Sequence, residues 1–333
     1  MRRRDFLVGG LAAAQWAPLR AFAQGTLQGI AQAPFPTRPI HIIVPSSAGG
    51  VHDVIARIWA ERVKTALGAV VVENRGGGGA SIALNYVAQS QPDGYVLLLG
   101  STSTLVLREG SSNRAYDAIK GIAPATIVAT TSTSIAVTPK LPVRTVRELI
   151  DYARAHPGEL TYGSAGVGAI THVTVEQFKQ RAGGLDMLHV PYKGVAPALN
   201  DLMSGEISVV FPNITAQVIG LNRSGKLRLL AVNAPARLEA IADIPTAIEA
   251  GLPDFVSQTF FGIFAPAATP KPVLQRINAA TQQEWADEQF HRKLMDAGFE
   301  PMLGYGPGQA EQYLAQEFAR WNPVVQSLGT QNQ

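Results

Sequence analysis

Hydrophobic and polar positions along this chain switch repeatedly between a short-run pattern and a helical one. Ile40-His41-Ile42-Ile43-Val44 is an apolar run closed by Pro45-Ser46-Ser47-Ala48-Gly49-Gly50, which predicts a strand and a turn. Val54, Ile55, Ile58, Trp59, Val63 and Leu67 then recur on one helical face, and Gly68 closes the helix. Val70 to Glu73 predicts the next strand, and Gly76 to Gly79 precede a helix through Tyr86 and Ala88. Pro92-Asp93-Gly94 turns into a strand from Tyr95 to Leu99, which ends at Gly100-Ser101-Thr102-Ser103.

The same grammar continues from a strand at Ile135-Ala136-Val137. Thr145 to Glu148 reads T-x-x-E, a capping box for a helix through Tyr152. Leu160-Thr161-Tyr162 runs into Gly163-Ser164-Ala165-Gly166-Val167-Gly168 and a helix starting near Thr171-His172. Leu188 to Asn213 predicts a complete strand–helix–strand unit, with Ala198, Leu199, Leu202 and Met203 at helical spacing, Gly205 as the stop, and a second strand over Ile207 to Phe211. A strand over Leu227 to Val232 follows, and Phe260 to Pro266 reads as a strand returning to the first half. Helices start after Pro270 and again after Pro307. Strands alternating with helices predict an α/β fold with mainly parallel sheet, and right-handed crossovers.

Ligands of open parallel sheets bind beyond the C-terminal strand ends. Four loops fall there: Ser46 to Asp53, Ser101 to Thr104, Gly163 to His172, and the pair Tyr192 and Asn213. Loops that precede helices offer free backbone N–H groups and the positive end of the helix dipole, which suits carboxylates. His52 either donates to an anion or stands exposed at a helix start, and His172 serves either the ligand or its own loop. Asn213 is a ligand donor or a turn former, Asp53 caps a helix, Lys193 is solvated, and Trp59 belongs to the core. His41 and His189 lie in strands and read as structural, without partners. Gly76 to Gly79 is a turn and not a nucleotide loop, because the third glycine of the fingerprint is missing and no Gly-Lys-Ser/Thr follows.

The N-terminus changes the charge balance. Arg3-Arg4-Asp5-Phe6-Leu7 fits the twin-arginine pattern, a weakly apolar stretch runs from Val8 to Ala17, and Ala21-Phe22-Ala23 is an A-x-A cleavage signal; an ordinary secretory peptide with an extra arginine is the alternative. Removing residues 1–23, with four arginines and one aspartate, takes the chain from 28 basic and 25 acidic residues to 24 of each. No basic stripe for nucleic acid is left. Zero cysteines exclude disulfides, thiolate metal sites and a thiol nucleophile. No later run has the roughly 18 apolar residues of a membrane helix, so a periplasmic protein without a span is expected. An exported hydrolase would need chemistry that is missing: Gly163-Ser164-Ala165-Gly166 is not G-x-S-x-G, no H-E-x-x-H occurs, and the six histidines are scattered. The length exceeds a comfortable single core, which predicts two lobes.

His189-Val190-Pro191-Tyr192-Lys193-Gly194, followed by Ala196-Pro197-Ala198-Leu199, Asp201-Leu202, Gly205, and Phe211 with Asn213, resembles the signature of the Bug-type (TctC-like) solute receptors. The resemblance extends through Val44-Pro45, Gly49-Gly50, Asp53, Val72-Glu73-Asn74-Arg75, Pro92-Asp93-Gly94-Tyr95, Tyr162, Ser164, Gly166, Gly168, Phe264-Ala265-Pro266 and Thr269-Pro270-Lys271-Pro272. These receptors are the periplasmic binding subunits of tripartite tricarboxylate transporters. The resemblance implies a periplasmic binding protein fold of two αβ lobes joined by hinge strands, with a carboxylated metabolite held in the interlobe cleft by loop amides and bound waters. It implies membrane transporter subunits as partners, a monomer, no cofactor, no metal and no catalysis. A periplasmic subunit that presents its ligand to a membrane signalling kinase would have the same fold.

The expected organisation is a signal peptide over 1–23, a linker over 24–37, lobe one over 38–132 and 262–333, and lobe two over 133–261. Expected ligand contacts from lobe one are Ser46, Ser47, Ala48, Gly49, His52, Ser101 and Thr102. Those from lobe two are Ser164, Ala165, Gly166, Val167, Gly168, His172, Tyr192 and Asn213. Ala169, Ile170 and Val195 stand where the family has small polar residues, while serines and His52 appear in lobe one. The exchange points to a ligand with an apolar body, an aromatic or medium-length aliphatic carboxylate.

Overall fold

A computed structural model of the chain describes residues 35–77, 80–107 and 120–329. The expected signal peptide, residues 24–34 of the expected linker, and Gly78 and Gly79 lie outside the described residues. The first half contains β1 (Ile40–Val44), α1 (Val51–Leu67), β2 (Val70–Asn74), α2 (Ser81–Ala88), β3 (Val96–Ser101), a wide helical turn (Thr102–Val106), β4 (Ile122–Ser132) and β5 (Ser134–Val137). After these come α3 (Val146–Ala155), β6 (Thr161–Ser164), α4 (Ile170–Arg181), β7 (Leu188–Pro191), α5 (Val195–Ser204), β8 (Val209–Val210), α6 (Ala216–Arg223) and β9 (Arg228–Val232). A short 3-10 turn (Glu239–Ile241), β10 (Gln258–Pro266), α7 (Lys271–Trp285), α8 (Glu288–Asp296), β11 (Glu300–Pro301) and α9 (Pro307–Gly329) complete the order.

Two sheets result, ordered β11-β4-β10-β3-β1-β2 and β7-β6-β8-β5-β9. In the first, β1 runs parallel to both neighbours, with Ile42 opposite Val72 and Leu97, so its apolar run is covered on both faces. One face buries Trp59, Val63, Phe261 and Trp285 under α1, α7 and α8; the other buries Ile43, Leu98, Phe260 and Trp321 under α2 and α9. The second sheet is likewise covered, by α3 and α4 around Tyr162, Phe178 and Phe211, and by α5 and α6 around Leu199, Leu202 and Ile219. The fold is therefore α/β with two lobes, each a sheet covered by helices on both faces.

The chain passes between the sheets where β4 gives way to β5 at Thr133 and where Ser257 leads into β10. These crossings are bonded to each other, Thr133 N–H to Ser257 O at 2.8 Å and Asn233 N–H to Thr133 O at 2.8 Å. On the β11 side, Ala216 N–H donates to Ala297 O at 3.1 Å. Gly298 has φ +87°, and a Cβ on it would lie 2.6 Å from the Ile214 carbonyl oxygen, so only glycine fits.

Several expectations need correction. Gln258 pairs with Ser132, so β10 belongs to the first sheet from its start and the return crossing lies ahead of residue 262. Phe35 and Thr37 are not linker: Phe35 packs edge-on against Tyr95 at 5.1 Å, and Thr37 N–H donates to the Tyr95 hydroxyl at 2.8 Å. Val54 faces outward and Ala56 and Ala60 take its place on the buried stripe of α1, because the stripe follows the small residues that let α1 approach the sheet. The Thr145 hydroxyl accepts the Glu148 N–H as expected, but Glu148 accepts from Arg144 N–H at 2.6 Å, one residue earlier than a capping box requires. The strand expected over Ile207 to Phe211 pairs only at Val209–Val210, and β6 lies between β7 and β8.

Candidate functional site

The loop after β1 owes its shape to buried charge behind it. Asp53 accepts the Gly49 N–H at 2.9 Å and the Arg57 Nε–H at 3.0 Å. Arg57 also reaches Asn74 Oδ1 at 3.4 Å, and Asn74 Nδ2 donates to Ser46 O at 3.1 Å. Burial pushes the Asp53 carboxyl up, but the hydrogen bonds from Arg57, Gly49 and Asn74 prevail and hold it below the usual carboxylate range. Asp53 thus ties down the turn in front of α1, while the N-cap Gly50 has no side-chain cap. Ser47, Ala48 and Gly49 are left exposed and Ser46 partly so. Among the described residues, the N–H groups of Ser47, Ala48, Val51 and His52 carry no hydrogen bond within the protein.

His52 bridges this loop to the end of β3. Its Nε2 lies 2.8 Å from Ser101 Oγ and its ring meets Phe261 edge-on at 5.3 Å. Burial pulls the imidazole down to about 4, so it is neutral at pH 7. Ser101 and Thr102, both expected in the site, are fully buried. Ser101 closes a capping box with Thr104, and Thr102 Oγ1 accepts the Phe260 N–H at 3.0 Å. They support the lobe-one loops from behind.

The loop between β6 and α4 is built differently. Ala165 N–H donates to Thr171 Oγ1 at 2.9 Å, Gly166 N–H to Ser164 Oγ at 3.1 Å, and Gly168 N–H to His172 Nδ1 at 3.3 Å. Ser164 is fully buried, and its Oγ lies 2.7 Å from His189 Nε2. Gly166 and Gly168 have φ +126° and +78°, which the tight loop needs. What remains exposed is the tip: Val167 is 74% exposed, and its N–H carries no hydrogen bond among the described residues. The loop meets lobe one where Ile170 N–H donates to Ser103 Oγ at 3.3 Å and Ile170 and Val173 pack against α9. The turn after β3 and the start of α4 are therefore in direct contact between the two sheets.

Tyr192 borders the same loop: its N–H donates to Ser164 O at 3.0 Å, and its hydroxyl to Asp201 Oδ2 at 2.5 Å. Burial, aided by Asp201, pushes the Tyr192 phenol up to about 12. Asn213 sits at the crossing, where its Nδ2 donates to Thr259 Oγ1 at 3.0 Å. His41 and His189 both have partners, contrary to expectation: Glu73 holds the Nδ1 of His41, and Ser164 holds His189. Sequence reasoning missed His189 because its partner lies 25 residues away on the neighbouring strand. Among the described residues, no cluster of His, Asp and Glu could hold a metal ion, and no helix is long and apolar enough to cross a membrane.

Residues 55–330 match the model of the tripartite tricarboxylate transporter family receptors. The chain is 35% identical over 303 residues to Protein BugT of Bordetella pertussis, covering 89% of this chain and 90% of that one. It superposes with a TM-score of 0.83 and 32% identity on an R. palustris protein solved with adipate, covering 88% of this chain and 98% of that one. MatC from Rhodopseudomonas palustris, solved with bound malate, gives 0.80 and 28% over 87% of this chain and 100% of the other.

Proposed function

We propose, for a chain that belongs to the tripartite tricarboxylate transporter receptor family, that it captures a small organic carboxylate between its lobes in the periplasm and delivers it to membrane transporter subunits. The protein is a solute-binding receptor and not an enzyme. In this reading residues 1–23 direct export through the twin-arginine route, the mature protein is a monomer, and the lobes divide at residues 132/133 and 257/258.

What supports the reading is the open group of N–H donors at Ser47, Ala48, Val51 and His52, on a loop that His52 ties to the end of β3, two residues before the Ser103 that bonds the start of α4. The start of α1 contributes about 0.3–1 kcal/mol per exposed charge contact, and each hydrogen bond to a carboxylate about 1.5–3 kcal/mol. Neutral His52 adds a polar edge without a fixed charge. Exposed Val167, with Ala169 beside it, offers methyl surface to the ligand body, which favours a medium-length aliphatic or aromatic acid over a hydroxylated one. Adipate in one relative and malate in another support a dicarboxylate class.

The test is thermal unfolding against a panel of C4–C8 diacids and aromatic acids, with mass spectrometry of the recovered ligand. A matching acid at about 100-fold above its Kd stabilises by about 2.7 kcal/mol, which raises Tm by roughly 5–10 °C, and is recovered unchanged. A flat response across the panel, or a chemically altered ligand, would refute the reading.

A further inference from the structure

Beneath the lobe-two loop lies a group of stacked rings. Tyr162 of β6, His189 of β7 and His172 of α4 lie nearly parallel, with centroids 4.7 Å apart for Tyr162–His189 and 4.3 Å for His172–His189. Each imidazole holds one end of the loop. His189 Nε2 is 2.7 Å from Ser164 Oγ, which in turn accepts the Gly166 N–H, and His172 Nδ1 is the acceptor for the Gly168 N–H. The second contact is selective for charge state. An Nδ1 that accepts from a backbone amide carries no proton, so His172 must be the neutral Nε2–H tautomer.

We propose that His172 and His189 are positioning residues that hold the loop's tip, exposed Val167 and half-buried Gly168, in its ligand-facing shape, and that a proton on His172 releases it. The proposal rests on the carboxylate-receptor reading for its purpose, but its geometry is independent of which ligand binds. An added proton at Nδ1 would set two N–H groups against each other at Gly168, and would place a cation in stacking contact with His189.

The surroundings keep the pair neutral. Burial lowers both imidazoles, His189 to about 4, with the neighbouring His172 also lowering His189. The charged groups that reach them are Glu176 and Lys179, both on α4. Glu176 accepts from the Tyr162 hydroxyl and from Lys179 Nζ, the latter at 2.8 Å, so its charge is already engaged. From β6 the facing titratable group is Tyr162, and α9 meets α4 through Ile170 and Val173 instead.

The experiment is histidine-ring NMR and amide exchange on the full chain, comparing wild type with His172→Phe and His172→Gln. Wild-type His172 should show the Nε2–H tautomer and remain neutral at pH 6.5, the ordinary imidazole midpoint. His172→Phe, which removes the acceptor but keeps a ring, should speed Gly168 amide exchange roughly tenfold, the equivalent of one lost hydrogen bond. His172→Gln, whose amide oxygen can accept, should restore most of that protection. Adipate affinity is then followed from pH 7.5 to 5; the wild type should lose affinity faster than His172→Gln, a ratio from which protonation of the diacid cancels. An Nδ1–H tautomer, or Gly168 exchange unchanged in His172→Phe, would overturn the positioning role. If the wild type binds neither adipate nor any other acid of the panel at pH 7.5 while the NMR results hold, the ligand class fails and the positioning role stands.

Discussion

The loops after β1 and after β6 follow the same strand–loop–helix grammar and end in opposite states. After β1, an aspartate, an arginine and an asparagine brace the turn from behind, and the amides in front stay open. After β6, the loop turns its own amides inward, onto Ser164, Thr171 and His172, and presents an apolar tip. Where the bracing comes from decides what a glycine-rich turn can do: support from side chains behind leaves amides open, the grip of the proposed site, while support from within uses them up and leaves the wall of that reading.

The largest break in this comparison comes from placing a negative charge on each side. His52→Asp should weaken binding of the matching acid roughly 100-fold or more, since like charges about 4 Å apart at an effective dielectric near 20 repel by ~4 kcal/mol. Val167→Asp, at a solvated tip, should weaken it only about tenfold because water and salt screen it. Equal losses, measured by titration calorimetry, would erase the distinction between grip and wall.

Next in size, Asp53→Ala should destabilise the fold by about 2 kcal/mol, because it removes the acceptor for Gly49 and Arg57 together. A urea midpoint unchanged from wild type would show that the lobe-one turn does not depend on this bracing.

A smaller effect is expected from acid. His52, His172 and His189 all have folded-state values below that of an unfolded imidazole. The unfolded chain therefore binds more protons below pH 6.5, so stability is full above that pH and falls as pH drops toward 4. By pH 5 each of His52 and His189 should cost about 1 kcal/mol, discounted for their partial exposure. Asp53 and Glu176, with depressed values, lose their contributions only at lower pH. Urea midpoints at pH 7.5, 6 and 5 check this, and His52→Gln should flatten the curve. Smallest of all, Ser103→Ala removes one interlobe hydrogen bond and should cost about 0.5–1.5 kcal/mol in stability and a few-fold in affinity.

Much of the fold was legible in the chain. β1 runs over the five residues expected, Trp59 is in the core, and the turn glycines lie where the helices stop. Local pattern carries that information, because burial period and turn chemistry act over a few residues. The site was legible only as a set of loops. Whether Ala165 N–H faces a ligand or Thr171, and whether Ser101 faces the cleft or Thr104, depends on how the loop closes on itself. His189 was legible as structural but its partner was not, for the same reason: a strand histidine shows its period and not its neighbour on the adjacent strand.

Gly298 carries a consequence for evolution of the hinge. A Cβ on it would meet a carbonyl of the connector that leaves β8, and Thr131 of β4 donates to that same Ile214 oxygen at 2.8 Å. One oxygen atom is thus shared by a turn and a strand of the first sheet while belonging to the second. A single methyl added at 298 would press on that atom, so a lesion far from any ligand would reach the pivot on which both halves depend.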